Sequence, residues 1–284
     1  VSIVGIADAA AIGLLYFVIA SGLTLILGSL RILSLAHGSV YLAGGYLAWL
    51  LHADTPSGFV LACGAAIPTG IAIGGLCAAV TWPLRAYGHL AQALATLGLS
   101  LIGGQLIAAA TGGTWLPAKP PPPLAAVINL AGHRYPAYRL GFIAVAAVIA
   151  AGLWWVMTLT RAGIVVRAVA DDAQMAASTG IRPSFVHTGV FAAGTTLAVL
   201  AGVLAAPILP AGPGVDEQLL VWSLIIVVLG GPGDLRGALA ASLAAGTVSA
   251  IGVVVLPTLA PFLLLVLVLV ALVVRPAGLG RSLA

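Results

Sequence analysis

The chain has 284 residues, 62% of them hydrophobic and 6% charged, with a formal charge of +4 and a mean hydropathy of +1.20. A soluble domain carries roughly 25% charged residues, so this composition excludes a water-covered globule and identifies an integral membrane protein. The positive balance then reports topology rather than nucleic-acid binding, and no alternating ten-residue pattern suggests a β-barrel.

The first apolar run, residues 8–30, is too long for a signal-peptide core and has no basic segment before it. It reads as a retained membrane helix. Arg31 and the stretch Ser34-Leu-Ala-His37-Gly38-Ser39 interrupt the apolar pattern, and a Gly-rich second run follows to about residue 52. Residues 54–58 form a polar turn. A third helix, residues 59–82, contains Gly70-x-x-x-Gly74, a spacing that lets helices approach closely. It also holds Cys63 and Cys77, about 21 Å apart along a helix axis and so unable to pair. A fourth helix covers residues 90–110.

Residues 111–138 differ from the rest. Pro120 to Pro123 favour extended polyproline II backbone, and Lys119, His133 and Arg134 lie nearby, with Arg139 just beyond. This is expected to be an external loop. A fifth helix spans residues 139–158 and a sixth 184–209. Between them lies the polar stretch 160–183, which reads as one short helix with Arg167 and Asp171 spaced to pair. Gly180 suits its C-terminal end and Pro183 prevents continuation. Two readings of this stretch stand side by side: a solvated linker, or a docking helix on which a soluble partner pushes.

Residues 218–229 are apolar but short, about 18 Å if helical, so this segment spans fully or re-enters. It ends in Gly230-Gly231-Pro-Gly233-Asp-Leu-Arg-Gly237. Residues 238–256 carry small residues at four-spacing (Gly237, Ala241, Ala245), and residues 262–274 form the last helix. The expectation is an all-α polytopic bundle of eight or nine transmembrane helices in a single domain, residues 1–284, with one or two discontinuous helices. Nine passages place Arg31, Arg85, Arg161, Arg167, Arg182, Arg236, Arg275 and Arg281 on one side, which the positive-inside rule makes cytoplasmic. Lys119, Arg134 and Arg139 fall on the other side, together with Asp8, Asp54, Asp216 and Glu217. This threading shows no inverted repeat.

The chemistry is sparse. No Gly-x-x-x-x-Gly-Lys-Ser/Thr phosphate loop occurs, no metal-ligand spacing is present, and no cofactor is implied. His37 has serines beside it but no carboxylate in sequence reach, which argues against a membrane hydrolase. No expected helix interior contains an acid or a lysine, which argues against an ion-coupled secondary transporter, the alternative class. The breaks at residues 34–39 and 230–237 share a form: an apolar run, one arginine, then a small-residue helix. They read either as turns at the membrane surface or as discontinuous helices lining a pathway, in which case Ser34, His37, Gly38, Ser39, Gly230, Gly231 and Gly233 are the lining residues.

Three blocks carry a resemblance: GLTLILGSLRILSLAHG at 22–38, TRAGIVVRAVADDAQMAASTGI at 160–181, and VLGGPGDLRG at 228–237 with Arg275-Pro-Ala-Gly278 beyond it. Their order and spacing resemble the membrane permeases of branched-chain amino-acid ABC importers, over nearly the whole chain. The resemblance implies a permease in the bacterial inner membrane that moves branched-chain or other neutral amino acids. It implies two cytoplasmic ATPase subunits, a second homologous permease or a copy of this one, and a periplasmic or lipid-anchored substrate-binding protein. The stretch 160–183 would be the coupling segment, with Gly163, Arg167, Ala168, Asp171, Asp172, Ala173, Ala176 and Gly180 at the ATPase. Leu33-Ser34-Leu35 replaces a more usual Ile-Asn-Phe-like sequence, and the external loop is unusually rich in proline. Similar permeases serve urea and short amides, so that substrate class stays open beside amino acids.

Overall fold

The computed structural model describes residues 3–130, 133–255, 257–258 and 260–274; Arg275 to Gly278 and Arg281 lie outside them. The architecture is an all-α membrane bundle. Its long helices are α1 (Ile3–Leu30), α3 (Pro56–Leu84), α4 (His89–Thr111), α5 (Ala137–Leu159), α8 (Pro183–Ala205) and α10 (Leu235–Val255). These six are long and apolar enough to cross a bilayer. Three shorter helices, α2 (His37–Leu50), α9 (Val215–Gly230) and α11 (Ala260–Val274), pack with them. Two more, α6 (Arg161–Asp171) and α7 (Ala173–Ser178), lie in the polar stretch.

Local chemistry sets the boundaries. Thr55 caps α3 by accepting from the Gly58 amide, and Pro56 occupies the first helical position, where its missing N–H costs nothing. Gly88, with φ +91°, separates the arginine-bearing end of α3 from α4. Arg31 adopts the left-handed conformation, φ +56°, which ends α1 and turns the chain back.

Small residues hold the bundle together. A Cβ on Gly70 or Gly74 would fall within 2.3–2.5 Å of Thr196 or Thr195 and Ala192 on α8, so the glycine face of α3 packs inside the subunit. Thr195 donates to the Gly70 carbonyl across this contact, 2.7 Å. Gly237, Ala241 and Ala245 are buried on α10, which packs against α1 through Gly246 on Gly13. In a membrane, such backbone approach supplies the packing that the hydrophobic effect cannot.

The Pro-rich loop, residues 112–136, departs from a plain polyproline path. It forms a 3-10 turn at Pro122–Leu124 and a hairpin of β1 (Val127–Leu130) with β2 (His133–Pro136). The hairpin is pinned to α1: the Tyr135 hydroxyl donates to Asp8, 3.1 Å, and Arg139 pairs with the same carboxylate. Burial, with the Asp8 charge beside it, pushes the Tyr135 hydroxyl up to about 12, so it stays a donor.

Candidate functional site: a junction of two half-length helices and an exposed helical elbow

The order of contacts gives each helix a direction. Gly28 meets Gly233 and Gly13 meets Leu243, so α10 runs antiparallel to α1. Gly70 meets Thr196 and Gly74 meets Ala192, so α8 runs antiparallel to α3, and Gly22 meets Gly194 where α8 crosses α1. Arg31, Arg85, Arg161, Arg167, Arg182 and Arg236 then collect at one end of the bundle. α2 runs alongside α8, with Gly44 on Val199 and Gly202 on Tyr41.

α2 does not begin at the arginine end. After Arg31 the chain runs back, without helix, along the bundle to His37. The His37 Nε2–H donates to the carbonyl of Ile19, 2.6 Å. Ile19 lies about 17 Å from the Leu30 end of α1 and about 24 Å from the other. The break at residues 34–39 is therefore half-way through the bundle, not at its surface. Ser34, His37 and Ser39 are buried at 1%, 2% and 6% exposure. The His37 Nδ1 has no partner among the described residues. The extended segment is fixed by α4: Thr96, fully buried, accepts from the Leu35 amide at 3.0 Å and gives its own hydrogen to the Ala93 carbonyl at 2.8 Å.

α9 is its counterpart. From the end of α8 the chain re-enters at residues 206–214 without a regular helix. Ala211 packs on Gly45 and its carbonyl accepts from the Leu116 amide. Gly214, φ +81°, then starts α9. A Cβ on Gly38 would lie 2.1 Å from the Asp216 carbonyl, so the first turns of α2 and α9 touch. They run in opposite directions, and neither N-terminus has a side-chain cap. Sequence alone places Asp216 and Glu217 in an outer polar turn. The structure corrects this: both acids sit in the first turn of α9 at the depth of the break, with the Asp216 backbone against Gly38.

α4 completes the junction. A Cβ on Gly103 would be 3.4 Å from the Ser39 Oγ, and one on Gly104 would be 3.2 Å from a carboxylate oxygen of Asp216. Between α4, α9 and residues 212–214 lies a cavity of about 250 Å³. Asp216, Glu217, Ser100 and Gln105 give it polar walls, and Leu97, Leu101, Ile107 and Leu220 give it apolar ones. Sequence reasoning missed Asp216 and Glu217, although an acid pair directly before an apolar run too short to span was the available signal.

The second break is placed differently. Gly230 and Gly231 are buried and Gly233 is exposed, in a turn at the arginine end. Gly233, φ +85°, lies against Gly28, and a Cβ on Gly230 would be 2.5 Å from the Ala238 amide nitrogen. This turn is remote from the α2–α9 junction.

The polar stretch is an elbow of two helices, not the single helix expected. Asp172 takes extended backbone between them, and its carboxylate accepts from the amides of Gln174 and Met175, capping α7. A carboxylate placed two residues before the amides that donate to it draws those donors into a new cap and away from a continuing helix, which is why α6 stops there. Gly180, φ +92°, follows the end of α7. The expected Arg167–Asp171 pair is not made: Arg167 donates to the carbonyl of Met157 on α5. Gly163 is buried, with space for no side chain against Met157. Ala168 is half-buried and Ala176 buried, while Arg167, Asp171, Asp172, Ala173 and Gly180 are exposed. Ile164 and Met175 are exposed apolar residues on the same elbow, at 58% and 66%.

A multi-pass bundle with two opposed half-length helices meeting inside it, and a polar elbow at its basic end, is a membrane permease. The chain belongs to the family described as the branched-chain amino acid transport system permease component, whose family model matches residues 5–274. Similar proteins include the high-affinity branched-chain amino acid transport system permease LivH of Escherichia coli K12, 27% identical over 95% of this chain and 92% of its own length. The LivH protein of Salmonella typhimurium is 28% identical over the same shares. BraD of Pseudomonas aeruginosa is 26% identical over 95% and 93%. Among solved structures, PsaBC from Streptococcus pneumoniae in complex with Fab has the same fold, with a TM-score of 0.53 and 16% identity, over 98% of this chain and 92% of that one.

Proposed function

We propose that this chain is a permease subunit of an ATP-driven importer in a bacterial inner membrane, carrying branched-chain or other neutral amino acids. The arginine end faces the cytoplasm, following the positive-inside rule. The chain then crosses nine times, with α2 and α9 each completing a passage begun by a non-helical segment.

The observation that carries this reading is the α2–α9 junction. The uncapped N-terminus of α9 borders the cavity and offers backbone amides to a carboxylate. Asp216 and Glu217 offer charge to an ammonium, and the leucine and isoleucine walls fit an aliphatic side chain. A zwitterionic aliphatic amino acid meets all three. Urea or a short amide would leave the Asp216 carboxylate without a countercharge inside the membrane, which is costly. This favours the amino-acid reading over the amide one.

Asp216 and Glu217 inside the bundle remove the sequence-based argument against ion coupling. Membership of the permease family supports energy from ATPase partners instead, since the sequence holds no phosphate loop of its own. The elbow α6–α7 is the docking surface for one of two ATPase subunits. A second permease, or a copy of this one, and a substrate-binding protein outside complete the assembly. In vesicles containing all partners, ATP should drive leucine uptake well above urea uptake. Asp216→Asn should raise the KM for leucine roughly ten- to a hundredfold, because a hydrogen bond to a charged partner contributes about 1.5–3 kcal/mol. Uptake on an ion gradient without ATP, faster urea uptake, or an unchanged KM would each overturn the corresponding part. At the elbow, Ala173→Arg should abolish substrate-stimulated ATP hydrolysis, because a large charge must enter the contact. Asp172→Asn keeps a capping side chain and should leave it intact. Wild-type stimulation in Ala173→Arg would make the elbow a linker.

A further inference from the structure

A second cavity, of about 210 Å³, lies at the arginine end. Its walls come from the end of α1 at Leu25 and Ser29, the end of α5 at Trp154 and Met157, α6, and the α9–α10 turn at residues 233–236. Two guanidinium groups line it, Arg167 and Arg236. One nitrogen of Arg167 is engaged at the Met157 carbonyl, and Arg236 lies 5.8 Å from the centre of the Trp154 ring. The one acid in the wall, Asp234, accepts from the backbone amide of Arg236, 2.9 Å. It forms no ion pair with either arginine, and the Arg139–Asp8 pair is the one found among the described residues. Each guanidinium therefore retains free donors in the planar fork that matches phosphate oxygens.

Geometry selects the source of the phosphate. The cavity sits where α1 and α5 end, beside Trp154 and Trp155, which are 39% and 57% exposed. Tryptophans concentrate at the membrane–water boundary. Above it, the outer face of α5 is exposed and apolar at Val148 and Val145, a surface on which acyl chains can lie. We propose that this cavity holds the headgroup of an anionic phospholipid, which clamps α6 to the end of α1 and to the α9–α10 turn. The site itself needs only the membrane placement; its bearing on coupling rests on the role proposed for α6.

The test uses the full chain in lipid nanodiscs of phosphatidylcholine, alone or mixed with phosphatidylglycerol, with bound lipid counted by native mass spectrometry after extraction. Wild type should retain phosphatidylglycerol preferentially. Arg236→Gln should lower that retention roughly fivefold, the effect of one cation at an anionic surface. Arg236→Lys should restore part of it, and Arg134→Gln at the opposite end should change nothing. Thermal unfolding checks that each variant is folded. Equal retention in wild type and Arg236→Gln, or no preference for phosphatidylglycerol, overturns the proposal. Inorganic phosphate is the competing arm: if it displaces the lipid at millimolar concentration and binds in pure phosphatidylcholine, the site takes a soluble anion and the lipid proposal fails. In the assembled transporter, phosphatidylglycerol should raise substrate-stimulated ATP hydrolysis in wild type and not in Arg236→Gln. Lipid retention without that rise would support the site and overturn its link to coupling.

Discussion

The breaks at residues 34–39 and 230–237 look alike in sequence, and the bundle uses them in opposite ways. Each follows an apolar run, holds glycine (Gly38 in the first; Gly230, Gly231, Gly233 and Gly237 in the second) and has one arginine in or just before it, Arg31 and Arg236. After Gly230 the chain needs only four residues to enter α10, and the result is a tight turn at the arginine end, closed by Gly233 on Gly28. After Leu30 it runs six residues without helix, and they carry it back to the level of Ile19 before α2 begins. The lesson lies in the backbone hydrogen bonds. A surface turn can leave its amides to water, whereas a buried extended segment must find partners for them. Residues 31–36 have such a partner in Thr96 on α4.

The largest expected effect is on the deep break. Gly38→Val would force a branched side chain into the 2.1 Å approach to the Asp216 carbonyl and part α2 from α9. Overpacking of this kind costs about 1–3 kcal/mol. Uptake in reconstituted vesicles should fall to background while membrane insertion and ATPase assembly persist; normal uptake would mean that the junction is not on the pathway. Next comes the anchor. Thr96→Val removes the acceptor for the Leu35 amide and should cost about 1–3 kcal/mol, whereas Thr96→Ser keeps the oxygen and should behave like wild type. A cysteine at Ser34 should become several-fold more reactive to a soluble thiol reagent in Thr96→Val. Unchanged reactivity would show that the segment holds its depth without α4. The smallest effect belongs to the surface turn. Gly233→Ala places a side chain at φ +85° against Gly28, a strain of about 1–2 kcal/mol. It should lower the unfolding temperature by a few degrees and leave the KM for substrate unchanged. A changed KM with normal stability would put this turn on the pathway and erase the contrast between the two breaks.

Much was fixed by composition and order alone. The apolar runs dictate a membrane bundle, because an unpaired peptide group in lipid leaves helix as the main solution. Prolines, glycines and Thr55 set most helix ends through local backbone chemistry. Small residues at four-spacing marked the packing faces of α3 and α10, and both are buried as that pattern requires. The family was legible in three short blocks.

Depth was not legible. Hydropathy measures how long an apolar run is, not where along the bundle it starts, so the position of His37 and of Asp216 followed only from contacts between distant parts of the chain. Those contacts are of Gly38 with the α9 backbone, of His37 with Ile19, and of Gly104 with the Asp216 carboxylate. The elbow shows the same limit in polar form. Four-residue spacing allowed Arg167 and Asp171 to pair, but the guanidinium found the Met157 carbonyl on α5 and the Asp172 carboxylate capped a new helix. Spacing states which groups can meet. The tertiary structure decides which partner each one takes, because a buried or half-buried polar group goes to whichever acceptor the packing of other helices brings within reach.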